Sequence, residues 1–398
     1  MHPSLSDRII HMKASATIEM ADKARQLTGR GIDVISLSIG EPDFDTPDHI
    51  KTAAIQAMQS GQTKYTPVSG LPVLKNAIVD KFKRDNQLNF SPENIVVSNG
   101  AKQSIANIMF SVLNPGDEII IFTPYWVSYY EMAKLTGAIP VLVKADVEQD
   151  FKVTPAQLDK ALTSKTKALL FSSPCNPTGS VFSEEEMRSL MQVIKHREDI
   201  VIISDEIYEY INFTDKHFSP ATIDFIQNRT ATVNGFSKGF AMTGWRLGYI
   251  GAPAWLAAAC TKMQSQYTSG AAAFNQAAGA FALNSPKGPT KMMKKAYQKR
   301  CQLVLELINE IKGMKCNQPQ GAFYAFPDIS SFFGKSYKNY SITNADDITM
   351  YLLEEAHVAL VSGSAFGDDK CVRISYATSE EILIEAIKRI GHYLELLS

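Results

Sequence analysis

Lys238 stands in Ser237-Lys238-Gly239-Phe240-Ala241-Met242-Thr243-Gly244-Trp245-Arg246, an amine among small residues with a guanidinium eight positions on, just after the predicted strand Thr230–Val233. A lysine whose pKa is depressed by its neighbours can form a Schiff base with an aldehyde, and a hydroxyl with an arginine can bind a phosphate dianion. The stretch is thus laid out to hold an aldehyde cofactor by its carbon and its phosphate together, which pyridoxal phosphate fits. A random lysine in a glycine-rich loop is more often simply solvated. Here Gly235, Gly239 and Gly244 within ten positions imply close backbone approach or positive φ. A loop fed by an apolar strand is also where open α/β sheets bind ligands.

Such a cofactor is an electron sink only while its ring nitrogen stays protonated, which requires a carboxylate beside it. Asp205, in Ser204-Asp205-Glu206-Ile207-Tyr208, follows the apolar run Ile200–Ile203 and so lies at a strand's C-terminal end, where aspartates also serve as turn or N-cap residues. Ser172-Ser173-Pro174-Cys175-Asn176-Pro177-Thr178-Gly179 is a rigid turn after the predicted strand Ala168–Phe171. Ser98-Asn99-Gly100-Ala101-Lys102-Gln103 joins a strand to a helix, where backbone N–H groups form an anion site suited to phosphate; a plain turn has the same signature. Arg373, in Cys371-Val372-Arg373-Ile374-Ser375, faces away from Val372 and Ile374 by strand alternation, either into solvent or as a planar fork toward a carboxylate.

With these residues in place, S-K-x-x-x-M-T-G-W-R resembles the cofactor-lysine motif of the fold-type-I pyridoxal-phosphate aminotransferases of class I/II, specifically the bacterial aspartate aminotransferase branch. Further motifs follow in that family's order from about Lys13 to Ser379. The resemblance implies that Lys238 is the catalytic lysine, Asp205 the partner of the ring nitrogen and Tyr208 the donor to the ring hydroxyl. It implies that Asn176, in N-P-T-G, donates to the same oxygen and helps hold the substrate carboxylate, and that Trp126 stacks on the ring against the substrate. Gly100, Ala101 and Lys102, with Ser237 and Arg246, match the phosphate contacts. Tyr65 matches a tyrosine that reaches the neighbouring subunit's phosphate, so a homodimer with shared sites is expected. Cys175 departs from the commoner asparagine or histidine.

On the substrate side the resemblance matches Arg373 to the arginine that binds the α-carboxylate, aided by the backbone N–H of Gly40. It matches Lys102 and Thr17, with Ser15 nearby, to contacts on the distal carboxylate of aspartate or glutamate. Lys13 resembles a cation of branch members that accept prephenate, although a lysine so placed is more often an ordinary surface residue. The implied activity is ping-pong transamination between aspartate and 2-oxoglutarate. Its rivals are an aminotransferase acting on prephenate or aromatic amino acids, a pyridoxal lyase sharing every cofactor residue, and a silent sensing module. The last would carry a DNA-binding segment, for which the chain starts too close to its first motif.

The elements that must position these residues are legible as β-branched runs alternating with helical stretches: Asn94–Val97, Glu118–Phe122, Ile139–Val143, Ala168–Phe171, Ile200–Ile203, Thr230–Val233 and Gly248–Gly251. They predict a βα-rich sheet buried on both faces. With the resemblance, the expected fold is α/β, fold type I: a large domain over 46–285 with a mostly parallel seven-stranded sheet, and a smaller α+β domain over 286–398. Residues 1–45 are expected to pack with the small domain through the amphipathic segment Ile18–Gln26 and the apolar run Val34–Ile39. Thr46-Pro47 reads as an N-cap with proline at the first helical position, and 287–312 as one long helix. Strands are expected at Ala322–Phe326, Val358–Val361 and Cys371–Ser375, helices at Ala345–Ala356 and Ser379–Leu397, and Ser362-Gly363-Ser364 as an ordinary loop.

Bulk properties narrow the function classes. At 398 residues with 45% hydrophobic content, two cores can be buried. Forty basic against 41 acidic residues, with no like-charge run, point away from nucleic acid and anionic membranes. No signal peptide opens the chain, and a cytoplasmic location is the expectation. Five scattered cysteines read as reduced thiols. The histidines show no H-E-x-x-H pairing, so no metal is expected, and G-x-G-x-x-G and G-x-x-x-x-G-K-[ST] are absent, against a nicotinamide or P-loop enzyme.

Overall fold

The computed structural model describes residues 4–398. Its strands, in chain order, are β1 (Ile35–Ser36), β2 (Ile95–Ser98), β3 (Glu118–Thr123), β4 (Ile139–Lys144), β5 (Thr166–Ser172), β6 (Val201–Asp205), β7 (Thr230–Gly235), β8 (Gly248–Gly251), β9 (Tyr324–Ala325), β10 (Ser336–Tyr337), β11 (Tyr340–Ser341), β12 (Val358–Ala359), β13 (Val361–Ser362) and β14 (Val372–Ser375). Seven of them form one sheet in the order β2-β8-β7-β6-β5-β3-β4. All its pairings are parallel except those of β8, which runs against β2 and β7. This is the α/β architecture with a mostly parallel seven-stranded sheet expected from the sequence.

The sheet is buried on both faces because its strands are apolar at consecutive positions. Ile119 and Ile121 enter one core with Ile203 and Ile250, while Ile120 between them enters the opposite core with Leu169 and Ile202. Truncating one such side chain to alanine costs about 2–5 kcal/mol. A second assembly is built from the three-stranded antiparallel sheet β13-β14-β9 and from helices Gly288–Asn309 and Glu380–Glu395. Tyr297, Cys301, Val304 and Ile308 on the first helix, and Leu383, Ile387, Ile390 and Leu394 on the second, recur at helical spacing and share one core. The N-terminal run joins it: β1 pairs in parallel with β12, and Leu37 lies in the same core. No described helix is long and apolar enough to cross a membrane.

Several expectations are corrected. Thr46 is not the N-cap; the helix Asp48–Gln59 is capped at Pro47. The Thr46 hydroxyl instead donates to Ala241 O at 2.6 Å and accepts from Trp245 Nε1 at 3.0 Å, tying this segment to the Lys238 loop. The run Val358–Val361 is two strands, since Leu360 turns the chain from the β1 pairing to the β14 pairing. Ser362-Gly363-Ser364 begins a 3-10 turn, Gly363–Phe366, that delivers Phe366 to the core. Among the glycines near Lys238, none has positive φ: Gly235 and Gly239 are closely approached by neighbouring atoms, whereas Gly244 has open space.

Candidate active site

The four parallel strands β3, β5, β6 and β7 point their C-terminal ends the same way, and the loops that leave them converge on a cavity of about 430 Å³. Trp126 arrives from the loop after β3, Asn176 from that after β5, Asp205 and Tyr208 from the end of β6, and Ser237, Lys238 and Arg246 from the loop after β7. Ala101 and Lys102 come from the helix that follows β2, Thr17 and Gly40 from the N-terminal segment, and Arg373 from β14. Residues more than 350 positions apart thus share one chamber, which is the placement open α/β sheets favour for ligands.

The Lys238 amine donates to Gly40 O and lies 5.7 Å from the Phe323 ring centre. Removal from solvent, followed by repulsion from Arg373, lowers its pKa to about 8. Asp205, 4% exposed, accepts from the Tyr129 hydroxyl at 2.5 Å and from Ile207 N at 3.2 Å. Burial nevertheless raises its pKa to about 6, with those hydrogen bonds opposing the rise. Asp205 also lines the cavity, where a cation such as a protonated ring nitrogen would offset the cost of burying its charge.

Arg373 is 1% exposed and so is not a solvated strand arginine. Its strand is buried on both faces, which overrides the alternation. Nη1 donates to Asn176 Oδ1 at 3.1 Å and Nη2 to Ser38 O at 2.6 Å, while the guanidinium lies 4.5 Å from the Tyr324 ring centre and 4.9 Å from that of Phe366. Its Nε has no hydrogen-bond partner. Among the described residues, no carboxylate pairs with Arg373, Lys238, Lys102 or Arg246. The cavity wall thus carries these four cations against two carboxylates, Glu41 and Asp205, an imbalance suited to anionic ligands.

At the other end, Gly100 caps the helix Ala101–Val112 with φ 88°, and a Cβ there would lie 2.4 Å from Arg246 Nη2. A Cβ on Gly248 would lie 2.3 Å from Ala101 N. The two glycines let an arginine and a helix N-terminus crowd together, as a phosphate site requires. Lys102 lies 4.9 Å from the Trp126 ring centre, and burial lowers its pKa. These features fit the anionic, aldehyde-bearing cofactor expected from the sequence.

Lys13 is exposed and does not line the cavity; neither does Tyr65, which is wholly exposed. Ser15 touches the site only through Thr17, hydroxyl to hydroxyl at 2.8 Å. Sequence reasoning missed Tyr129, Tyr324, Glu41 and Phe366. Tyr129 lies one helical turn beyond Trp126 and could have been found as its neighbour; the others carry no local signal. Glu206, Glu209 and His217 also lie close enough to hold a cation, a grouping that histidine spacing did not reveal, but Lys81 makes an ion pair with Glu209 there and His217 bonds Glu206 at 2.7 Å.

A family model described as aminotransferase class I and II matches residues 32–390. An aspartate/prephenate aminotransferase of Cereibacter sphaeroides is 46% identical over 397 residues, 99% of each chain. A bifunctional aspartate aminotransferase and glutamate/aspartate-prephenate aminotransferase of Petunia hybrida is 45% identical over 97% of this chain and 82% of its own length. The crystal structure of an aspartate aminotransferase from Rhizobium meliloti superposes with a TM-score of 0.96 at 41% identity, covering 100% of both chains. That of Thermus thermophilus aspartate aminotransferase with maleate gives 0.92 at 39% identity over 98% of this chain and 100% of its own.

Proposed function

Since the chain belongs to the class I and II aminotransferase family, we propose that it uses pyridoxal phosphate to exchange the amino group of aspartate with 2-oxoglutarate. The observation that carries this reading is one cavity holding a lysine of lowered pKa, a buried carboxylate and an arginine with no acidic partner.

Pyridoxal phosphate, when bound, supplies an aldehyde that takes up amino groups and a cationic ring that delocalises charge from the substrate's α-carbon. The residues that would hold it are Lys238 at the aldehyde, Asp205 at the ring nitrogen, and Tyr208 and Asn176 at the ring oxygen. Trp126 would lie against the ring face, and Gly100, Ala101, Lys102, Ser237 and Arg246 would hold the phosphate. The Arg373 fork binds the α-carboxylate beside the Gly40 N–H and so orients the α-carbon. Lys238 Nζ, about half neutral at pH 8, would take the proton from the α-carbon and deliver it to the cofactor's aldehyde carbon, and the second half of the cycle would run the same transfer in reverse. Lys102 and Thr17 face the distal carboxylate and favour four- and five-carbon diacids.

We further propose that 46–285 forms the cofactor-holding domain, that 1–45 packs with the smaller domain 286–398 and brings Thr17, Gly40 and Arg373 to the substrate beside Lys102, and that two copies assemble with Tyr65 serving the neighbouring phosphate. Five free cysteines favour a cytoplasmic setting. The relatives named for prephenate support a second acceptor, itself a dicarboxylate suited to Arg373 and Lys102. The test is a panel of amino acceptors offered to the aspartate-loaded enzyme: oxaloacetate, 2-oxoglutarate, prephenate, aromatic keto acids and pyruvate. Keto acid formed one-for-one with the new amino acid supports transamination; release of ammonia with pyruvate, without transfer, overturns it in favour of a lyase.

A further inference from the structure

Tyr324 sits on β9, paired with Ser375 on β14, which makes Arg373 its diagonal neighbour across the strands. Its ring supports the Arg373 guanidinium at 4.5 Å, opposite Phe366. Its hydroxyl bonds the Tyr208 hydroxyl at 2.8 Å, and both side chains are buried. Tyr208 also packs edge-on against Tyr324 and Phe323, at 5.9 and 5.5 Å, so neither ring is free to turn away. One aromatic thus touches the arm that takes the substrate carboxylate with its face, and the arm that faces the cofactor with its edge.

We infer that Tyr324 is a positioning residue that donates its hydroxyl proton to Tyr208 and so aims and strengthens the Tyr208 donor toward the cofactor's ring oxygen, while its ring fixes the plane of Arg373. This rests on the reading of Tyr208 given above. In a pair of hydroxyls one must donate to the other. The 2.8 Å contact admits either direction; once a ring oxygen in the cavity takes the Tyr208 proton, only Tyr324 has a proton left to donate between the two hydroxyls. A donor that itself accepts a hydrogen bond is polarised and donates more strongly. The two functions separate chemically, because phenylalanine keeps the face and loses the hydroxyl, whereas leucine loses both.

The visible absorption of the holoenzyme is titrated against pH for wild type, Tyr324→Phe, Tyr324→Leu, Tyr208→Phe and the Tyr324→Phe, Tyr208→Phe double variant, with succinate affinity measured from the same spectra. A donor on the ring oxygen draws off electron density and lets the bound chromophore lose its proton at lower pH. Tyr324→Phe is therefore expected to raise the chromophore's pKa by about half a pH unit or more, less than Tyr208→Phe. The double variant should match Tyr208→Phe alone. Tyr324→Phe should bind succinate within about threefold of wild type, and Tyr324→Leu at least about tenfold more weakly. A shift in Tyr208→Phe without one in Tyr324→Phe overturns the inference and spares the role of Tyr208; no shift in either overturns both. Thermal midpoints of all variants accompany the spectra, and a lowered midpoint with unmoved spectra counts against the inference.

Discussion

The Tyr129 hydroxyl donates a 2.5 Å hydrogen bond to Asp205 Oδ2 at the wall of the cavity, where both side chains are nearly buried, at 1% and 4% exposure. Tyr129 is the strongest influence keeping this buried carboxylate ionisable, since burial alone drives its pKa upward. Replacing Tyr129 with phenylalanine should raise the Asp205 pKa by about one unit further. Capture of the cofactor by the cofactor-free protein should then lose strength at higher pH than in wild type, so that cofactor affinity at pH 6 falls several-fold more than at pH 8. Equal losses at both pH values would show that Tyr129 merely fills space.

Asp205 also makes a stability prediction for the cofactor-free protein. Its folded pKa of about 6 exceeds its ordinary value of 3.8, so its contribution is fully present below pH 3.8 and is lost as pH rises through 6. Asp205→Asn should remove that dependence and stabilise the cofactor-free protein at pH 8 by up to about 3 kcal/mol. Loaded with cofactor, the same variant should be weakened, because the ring cation loses its partner. Denaturant melts at pH 4 and pH 8, with and without cofactor, read both signs; a variant less stable than wild type in all four conditions contradicts this.

Lys238 titrates near 8 because it is shielded from water and stands near Arg373. At pH 7.4 about a fifth of the amines are neutral, against about one in a thousand for an ordinary lysine. Cofactor capture, followed by absorbance after mixing, should accelerate with pH and level off above about 8. Arg373→Met removes the like charge and should shift that midpoint upward. Lys238→Ala should lower turnover by about 10⁴-fold or more. A capture rate still climbing past pH 10 would mean that the amine is solvated.

Most of the frame was legible in the chain because it is written in local chemistry. Short β-branched runs such as Ile119-Ile120-Ile121 and Val201-Ile202-Ile203 read as strands buried on both faces, and the C-terminal ends of Val201–Asp205 and Thr230–Gly235 place Asp205 and the Lys238 loop. What could not be read is cross-chain adjacency. Tyr324 and Phe366 look like any core aromatics until β9 and the 3-10 turn bring them to Arg373. The hydroxyl of Thr46, a plausible cap, is claimed by Ala241 nearly two hundred residues on, a tertiary bond no window contains. Tyr65 and Lys13 face outward, so their roles depend on what a second subunit or a substrate brings to them.

Arg373 holds its place by two hydrogen bonds and two aromatic faces, a geometry that a lysine cannot reproduce at equal charge. Arg373→Lys should raise KM for aspartate about 10- to 100-fold and weaken succinate inhibition in parallel, with kcat reduced less. Steady-state kinetics with both ligands checks this, and an unchanged KM removes Arg373 from the carboxylate site.

Gly40 and Tyr324 should prove mutually dependent. A Cβ at Gly40 would stand 2.4 Å from Tyr324 Oη but 3.4 Å from Cζ, so the hydroxyl alone excludes a side chain. Gly40→Ala should destabilise the protein by about 1–3 kcal/mol through overpacking and weaken carboxylate binding by displacing the Gly40 N–H. In the Tyr324→Phe background the new methyl group meets only ordinary contact, and most of that stability should return. The measurement is a double-mutant cycle of unfolding free energies. Additive effects would place the Gly40 penalty elsewhere, in backbone freedom rather than in the tyrosine that crowds it.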